Sequence, residues 1–145
     1  MLPAEVETEG VTADESRLVV VDAANVVGSR PDGWWRDRAG AARRLLEKLT
    51  VLPQRSEEPA VTVVLEGAAR AAVEGDSKPD LRAIRVVLAD GSGDDAIVGV
   101  VAAAVEQDSN REITVVTADR GLRDRVEAYG ATTVGPRWLW DRIES

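Results

Sequence analysis

Arg17–Leu18–Val19–Val20–Val21–Asp22 and Ile113–Thr114–Val115–Val116–Thr117–Ala118–Asp119 are two strongly apolar, β-branched runs, and each ends on an acid. Runs of this kind belong to a parallel sheet buried on both faces. Between them lies a third acidic site, Gly91–Ser92–Gly93–Asp94–Asp95–Ala96–Ile97. Ligands of open α/β sheets bind beyond the carboxyl ends of the strands, at the point where the strand order reverses. If the chain changes direction after its third strand, the first and fourth strands become neighbours and Asp22 meets Asp119 there.

Working outward, further strands are expected at 61–66, 84–88 and 132–134. Apolar spacing predicts helices at about 34–50, 94–107, 119–129 and 137–144, with a short Ala-rich helix at 67–74. In the helix over 34–50, Trp35, Ala39, Ala42, Leu46 and Leu49 form the expected core stripe, with Arg36, Arg43 and Arg44 toward solvent. Leu122, Val126 and Tyr129 are expected inward on the next-to-last helix, with Gly130 as its stop. Residues 23–33 read as a loop from their Gly, Pro and Asp content, as do 53–59 and 75–80. Strands alternating with helices predict a three-layer α/β domain on a mainly parallel five-stranded sheet. The expected organisation is a flexible acidic arm over 1–16 and one folded domain over 17–145.

The composition limits the chemistry. The 145 residues include no Cys and no His. Disulfide scaffolds, thiolate or histidine zinc sites, cysteine nucleophiles and Ser-His-Asp hydrolysis are thereby excluded. Carboxylates, hydroxyls, Lys and Arg remain, together with a hard cation held by oxygen. The net charge of −8 speaks against nucleic acid, but the first 16 residues carry five acids and no base, which leaves the rest at −3. No apolar stretch is long enough to span a membrane, and the acidic N-terminus is unlike a signal peptide, so a cytoplasmic protein is expected.

Each acid also has a purely structural use. Asp22, followed by Asn25, can close an Asx turn; Asp119 can cap the helix after it; Asp94 or Asp95 can cap theirs. Brought together, two or three carboxylates repel, and one takes up a proton unless a cation intervenes. An all-oxygen ligand set points to Mg²⁺ or Mn²⁺, which act on phosphates. Glu66, in Val63–Val64–Leu65–Glu66–Gly67, is a fourth candidate. Residues 30–44 carry a net +3, and Arg30, Trp34, Arg36 and Arg43 there, with Arg120 elsewhere, are candidate contacts for a phosphate backbone or a base. The same segment also fits a solvated helix face with a Trp in the core. Gly91–Ser92–Gly93 does not make a phosphate-binding loop of the Gly-x-x-x-x-Gly-Lys kind.

Three motifs carry a resemblance: Val19–Val20–Val21–Asp22–Ala23–Ala24–Asn25, Gly93–Asp94–Asp95–Ala96–Ile97 and Val115–Val116–Thr117–Ala118–Asp119–Arg120. In this order the chain resembles an NYN-type, PIN-like ribonuclease domain, nearest to the YacP-like branch, over about residues 17–142. The resemblance implies a Rossmann-like sheet of order 3-2-1-4-5. It also implies Mg²⁺ or Mn²⁺ held by Asp22, Asp94 and Asp119, and hydrolysis of RNA phosphodiesters. Asp94 is favoured over Asp95 because Ile97 lies three residues after it, as in the motif. Asn25 is expected to orient Asp22 or a water on the metal, with Glu66 and Asp95 secondary.

The chain departs from the pattern at Gly121, where many members have another acid, and at Leu65–Glu66–Gly67, where relatives often have Phe-Asp-Gly. These departures motivate an alternative, a non-catalytic RNA-binding or scaffold module on the same fold. A small-molecule phosphohydrolase of the haloacid dehalogenase type is disfavoured by Ala24, where that chemistry needs a second Asp.

Overall fold

A computed structural model describes residues 14–30, 33–50, 59–73 and 84–144. Five parallel strands form one sheet: β1 (Asp14–Asp22), β2 (Pro59–Leu65), β3 (Arg85–Leu88), β4 (Glu112–Val116) and β5 (Thr132–Val134). Their order is β3-β2-β1-β4-β5. From β1 the chain steps outward through β2 to β3, then returns across the sheet to place β4 on the other side of β1. That return creates the switch point between β1 and β4, where Val21 is in register with Val116.

Strand alternation divides the core. Val19 and Val21 of β1, with Val61, Val63 and Leu65 of β2, face one side. There they pack on α1 (Ala23–Gly28), α2 (Arg38–Leu49) and α5 (Pro136–Ile143) through Val26, Leu45, Leu46, Leu49 and Leu139. Leu18 and Val20, with Val64, Ile113 and Val115, face the other side. That side is covered by α3 (Gly93–Gln107) and α4 (Arg120–Glu127) through Ile97, Val101, Leu122 and Val126. Both faces of every central strand are thus buried, the three-layer arrangement that the β-branched runs require.

Several local expectations change. Residues 23–28, expected as loop, form α1, whose first turn is capped by Asp22. The helix expected from 34 begins at Arg38, because the Asp37 side chain caps it by accepting from the Gly40 N–H; Trp34–Arg36 is a separate 3₁₀ turn. The later start rotates the buried stripe to Ala41, Ala42, Leu45, Leu46 and Leu49, and Trp35 is left 52% exposed instead of in the core. Arg43, expected toward solvent, donates to the carbonyls of Ala71 and Ala72. The Ala-rich segment is a 3₁₀ helix, Gly67–Val73. Tyr129 is exposed, since α4 ends at Glu127 and Tyr129 lies in the turn beyond. Gly130 takes φ +93° in that turn, a backbone conformation glycine adopts without strain. β1 starts at Asp14, inside the span expected as an arm, although its regular pairing with β2 begins at Leu18. Residues 1–13 of that arm, 53–58 and 75–80 lie outside the described residues.

Candidate active site

The switch point is built around Asp22. It ends β1 and is 6% exposed. Its Oδ2 accepts a 2.9 Å hydrogen bond from the Thr117 hydroxyl, and its Oδ1 accepts from the Asn25 N–H at 3.3 Å. Thr117 is fully buried just beyond β4, and its Oγ1 accepts in turn from the Asp119 N–H at 3.1 Å. The Asn25 side chain reaches across instead of toward Asp22: its Oδ1 accepts from the Ala118 N–H at 2.8 Å. Asn25 therefore ties α1 to the loop after β4 and touches Asp22 only through its backbone. These bonds hold the ends of β1 and β4 at a fixed separation.

Asp119 caps α4, with Oδ1 accepting from the Leu122 N–H at 3.0 Å. Glu66 follows β2 and reaches the start of α3, where its Oε1 accepts from the Gly93 N–H at 2.8 Å. A Cβ at position 93 would stand 2.8 Å from the Glu66 carboxylate, so with any other residue there that carboxylate would have to swing aside. Ser92 caps the same helix through the Asp95 N–H. Asp94 and Asp95 occupy the first turn of α3.

The acids act on one another. Burial pushes the Asp22 carboxyl up to about 6, and the charges of Asp94 and Glu66 add to the rise against the lowering effect of its two hydrogen bonds. Asp94 is raised by burial, then by the charges of Asp119 and Glu66. Asp22, Glu66, Asp94 and Asp119 thus share one electrostatic site across the ends of three strands. The charge of Asp95 raises Asp94 as well, although less, while its own carboxylate pairs with Arg125 of α4 at 3.0 Å on the surface.

All-oxygen donors of this kind suit a hard divalent cation. Among the described residues no three acidic side chains stand close enough to enclose an ion. Asp22, Asp119 and Glu66 each commit an oxygen to a backbone N–H. The bonds that end the strands and start the helices thus also set these acids at one end of the sheet.

The expected nucleic-acid contacts separate into groups. Arg30 forms a paired contact with Glu144 and lies 3.9 Å from the centre of the Trp140 ring. Arg43 is engaged with carbonyls, as above. Arg36 is exposed, 5.9 Å from the Trp35 ring centre, and Arg120 is exposed beside Asp119. Trp34 is half-buried and lines a cleft of about 340 Å³ together with Ala23, Arg38 and Glu66. Thr117, Gly93 and Ser92 were not among the expected site residues. Thr117 stands in the motif before Asp119, and Gly93 directly before Asp94, so position in the motifs was the available signal.

Residues 19–145 match the family model described as the YacP-like NYN domain. Among solved structures the chain is similar to the crystal structure of a mutant of Rae1 (YacP) from Bacillus subtilis. The two share 19% identity with a TM-score of 0.68, over 88% of this chain and 74% of that one. At this identity the likeness shows the fold. No curated protein matches the sequence.

Proposed function

The chain belongs to the YacP-like NYN domain family, and from that premise we propose that it is a Mg²⁺- or Mn²⁺-dependent ribonuclease. The observation that carries this reading is the shared electrostatic site of Asp22, Glu66, Asp94 and Asp119 at the switch point. A single capping acid at each strand end would not need the others within reach. Four acids at one end of the sheet that influence one another, one of them buried, favour a cation and disfavour an RNA phosphate unless a cation is bound.

Asp22, Asp94 and Asp119 are the residues to hold the ion, with Glu66 beside them. Such an ion, when bound, would supply Lewis acidity toward a phosphate and lower the pKa of a water beside it. The protein residues supply the positioning. Asp22 is fixed by the Thr117 hydroxyl and the Asn25 N–H. Asn25 acts as a positioning residue by fixing the Ala118 backbone next to Asp119. Asp94 lies in the first turn of α3 and Asp119 at the N-cap of α4, so both helices begin with an acid at the same end of the sheet as Asp22. Glu66 braces α3 through Gly93 and so sets where Asp94 stands. Asp95 remains in a secondary role.

Hydrolysis of a single-stranded oligoribonucleotide in Mn²⁺ tests the reading. Asp22→Asn and Asp119→Asn should each reduce turnover at least about 100-fold, on the order expected for losing a charged group at a reacting centre. Full Mn²⁺-dependent turnover in both variants would exclude it.

The separation of the acids favours one second reading, a non-catalytic RNA-binding module. Such a module would bind the oligonucleotide equally in wild type and Asp22→Asn, and would show no Mn²⁺ affinity dependent on these carboxylates.

A further inference from the structure

The cleft beside the acidic site is formed between α1, α2 and the 3₁₀ helix after β2. Val27, Ala42 and Ala69 give it an apolar floor of small side chains, which leaves a slot of about 340 Å³. That lies at the lower end of the range for small-ligand sites. Trp34 forms one wall. Its indole lies against α1, where a Cβ on Gly28 would be 3.5 Å from the ring, and meets the Trp35 ring edge-on at 6.1 Å between centres. The indole is therefore held in place yet stays half-exposed to the cleft. The Arg38 guanidinium lies over the same ring, 5.4 Å from its centre, and also lines the cleft, so a base stacking on that face would take its place and leave it to the phosphate. Glu66 belongs both to the cleft lining and to the acidic site.

We propose that this cleft is a nucleobase subsite of the RNA-binding surface, in which Trp34 stacks one base of a single strand and Arg38 neutralises the adjoining phosphate. The inference rests on the ribonuclease reading above and adds the place where the substrate is gripped. Three features favour a base over an apolar peptide side chain. A fixed aromatic wall offers a stacking surface that every base can use. A guanidinium at that wall matches the phosphate attached to a stacked nucleotide. The shared Glu66 makes the cleft continuous with the acids, so a base seated there brings its neighbouring phosphate to them.

The test compares a short oligoribonucleotide with its fully abasic counterpart, which keeps the same backbone charge. Both are titrated against full-length Asp22→Asn protein, so that the RNA is not consumed, and against the same protein carrying Trp34→Ala or Ala69→Leu. Trp34→Ala should weaken the intact strand about 10-fold, within the range for one stacked base, and leave the abasic strand unchanged. Ala69→Leu, which narrows the cleft but keeps Trp34, should do the same and guards against a fold defect in the tryptophan variant. Equal weakening of both strands, or no weakening in either variant, overturns the subsite while leaving the ribonuclease reading intact. Failure of the parent protein to bind either strand, with no RNA cleavage by the wild type, overturns both.

Discussion

Asp22 stands where burial and neighbouring charge both oppose its ionisation, and the fold pays for keeping it there. Its carboxyl rises from an ordinary 3.8 to about 6. Between those values the folded state keeps the proton that the unfolded chain has released, so stability falls as pH rises across that window and stays lower above it. Two pH units at 1.36 kcal/mol each put the penalty at about 3 kcal/mol for the cation-free protein at neutral pH. Asp22→Asn removes that penalty but leaves one acceptor oxygen for the donors of Thr117 and Asn25, so in chelator at pH 7.5 it should be at least as stable as the wild type while losing cleavage, as read by urea unfolding beside an activity assay. A variant that loses both would mean that Asp22 serves the fold instead. Gly93 gives a second expectation. In Gly93→Ala the new methyl meets the Glu66 carboxylate at 2.8 Å, and Glu66 must give up its bond to the α3 N-terminus. Because the Glu66 carboxylate ends a flexible side chain that can swing aside, stability should drop by only about 1 kcal/mol, the net worth of one such hydrogen bond, and activity should fall if that bond positions Asp94.

At the scale of elements, the acids also start helices, which lets charge and capping be separated. Asp119 caps α4 through one oxygen. Asn caps as well as Asp, so Asp119→Asn should leave the melting midpoint nearly unchanged while removing the charge from the site. Asp119→Ala removes the cap too and should cost about 1 kcal/mol in denaturant unfolding. Equal destabilisation by the two variants would contradict the cap geometry.

The same elements show what the sequence could and could not disclose. The β-branched runs made β1 and β4 legible because burial on both faces leaves no polar positions to blur them. Their terminal acids followed directly. The six residues of α1 are too few for a helical period, and the Gly, Pro and Asp content of 28–33 masked them. The start of α2 was hidden because Trp34 and Trp35 extend an apolar stripe backward past the cap at Asp37. Asn25 was legible as a site residue, but its bond to Ala118 crosses 93 positions and leaves no local trace. Asp94 was preferred to Asp95 by its spacing to Ile97, but the pairing of Asp95 with Arg125 on α4 lies 30 positions away and left no local trace.

For the whole molecule, a net charge of −8 and an acidic switch point mean that RNA approaches against repulsion unless a cation is present. Mn²⁺ should therefore both tighten RNA binding and raise the melting midpoint of the wild type. It should do neither in Asp22→Asn, since a ligand that binds only the folded state stabilises only where its site is intact. Among the described residues no helix is long and apolar enough to cross a membrane. The most direct measurement is an anomalous-difference map from crystals of the wild-type protein soaked in Mn²⁺. The account predicts a peak bounded by Asp22, Asp94 and Asp119, with these side chains turned toward it. A map with no peak there, from crystals of protein that still cleaves RNA in Mn²⁺, would contradict it.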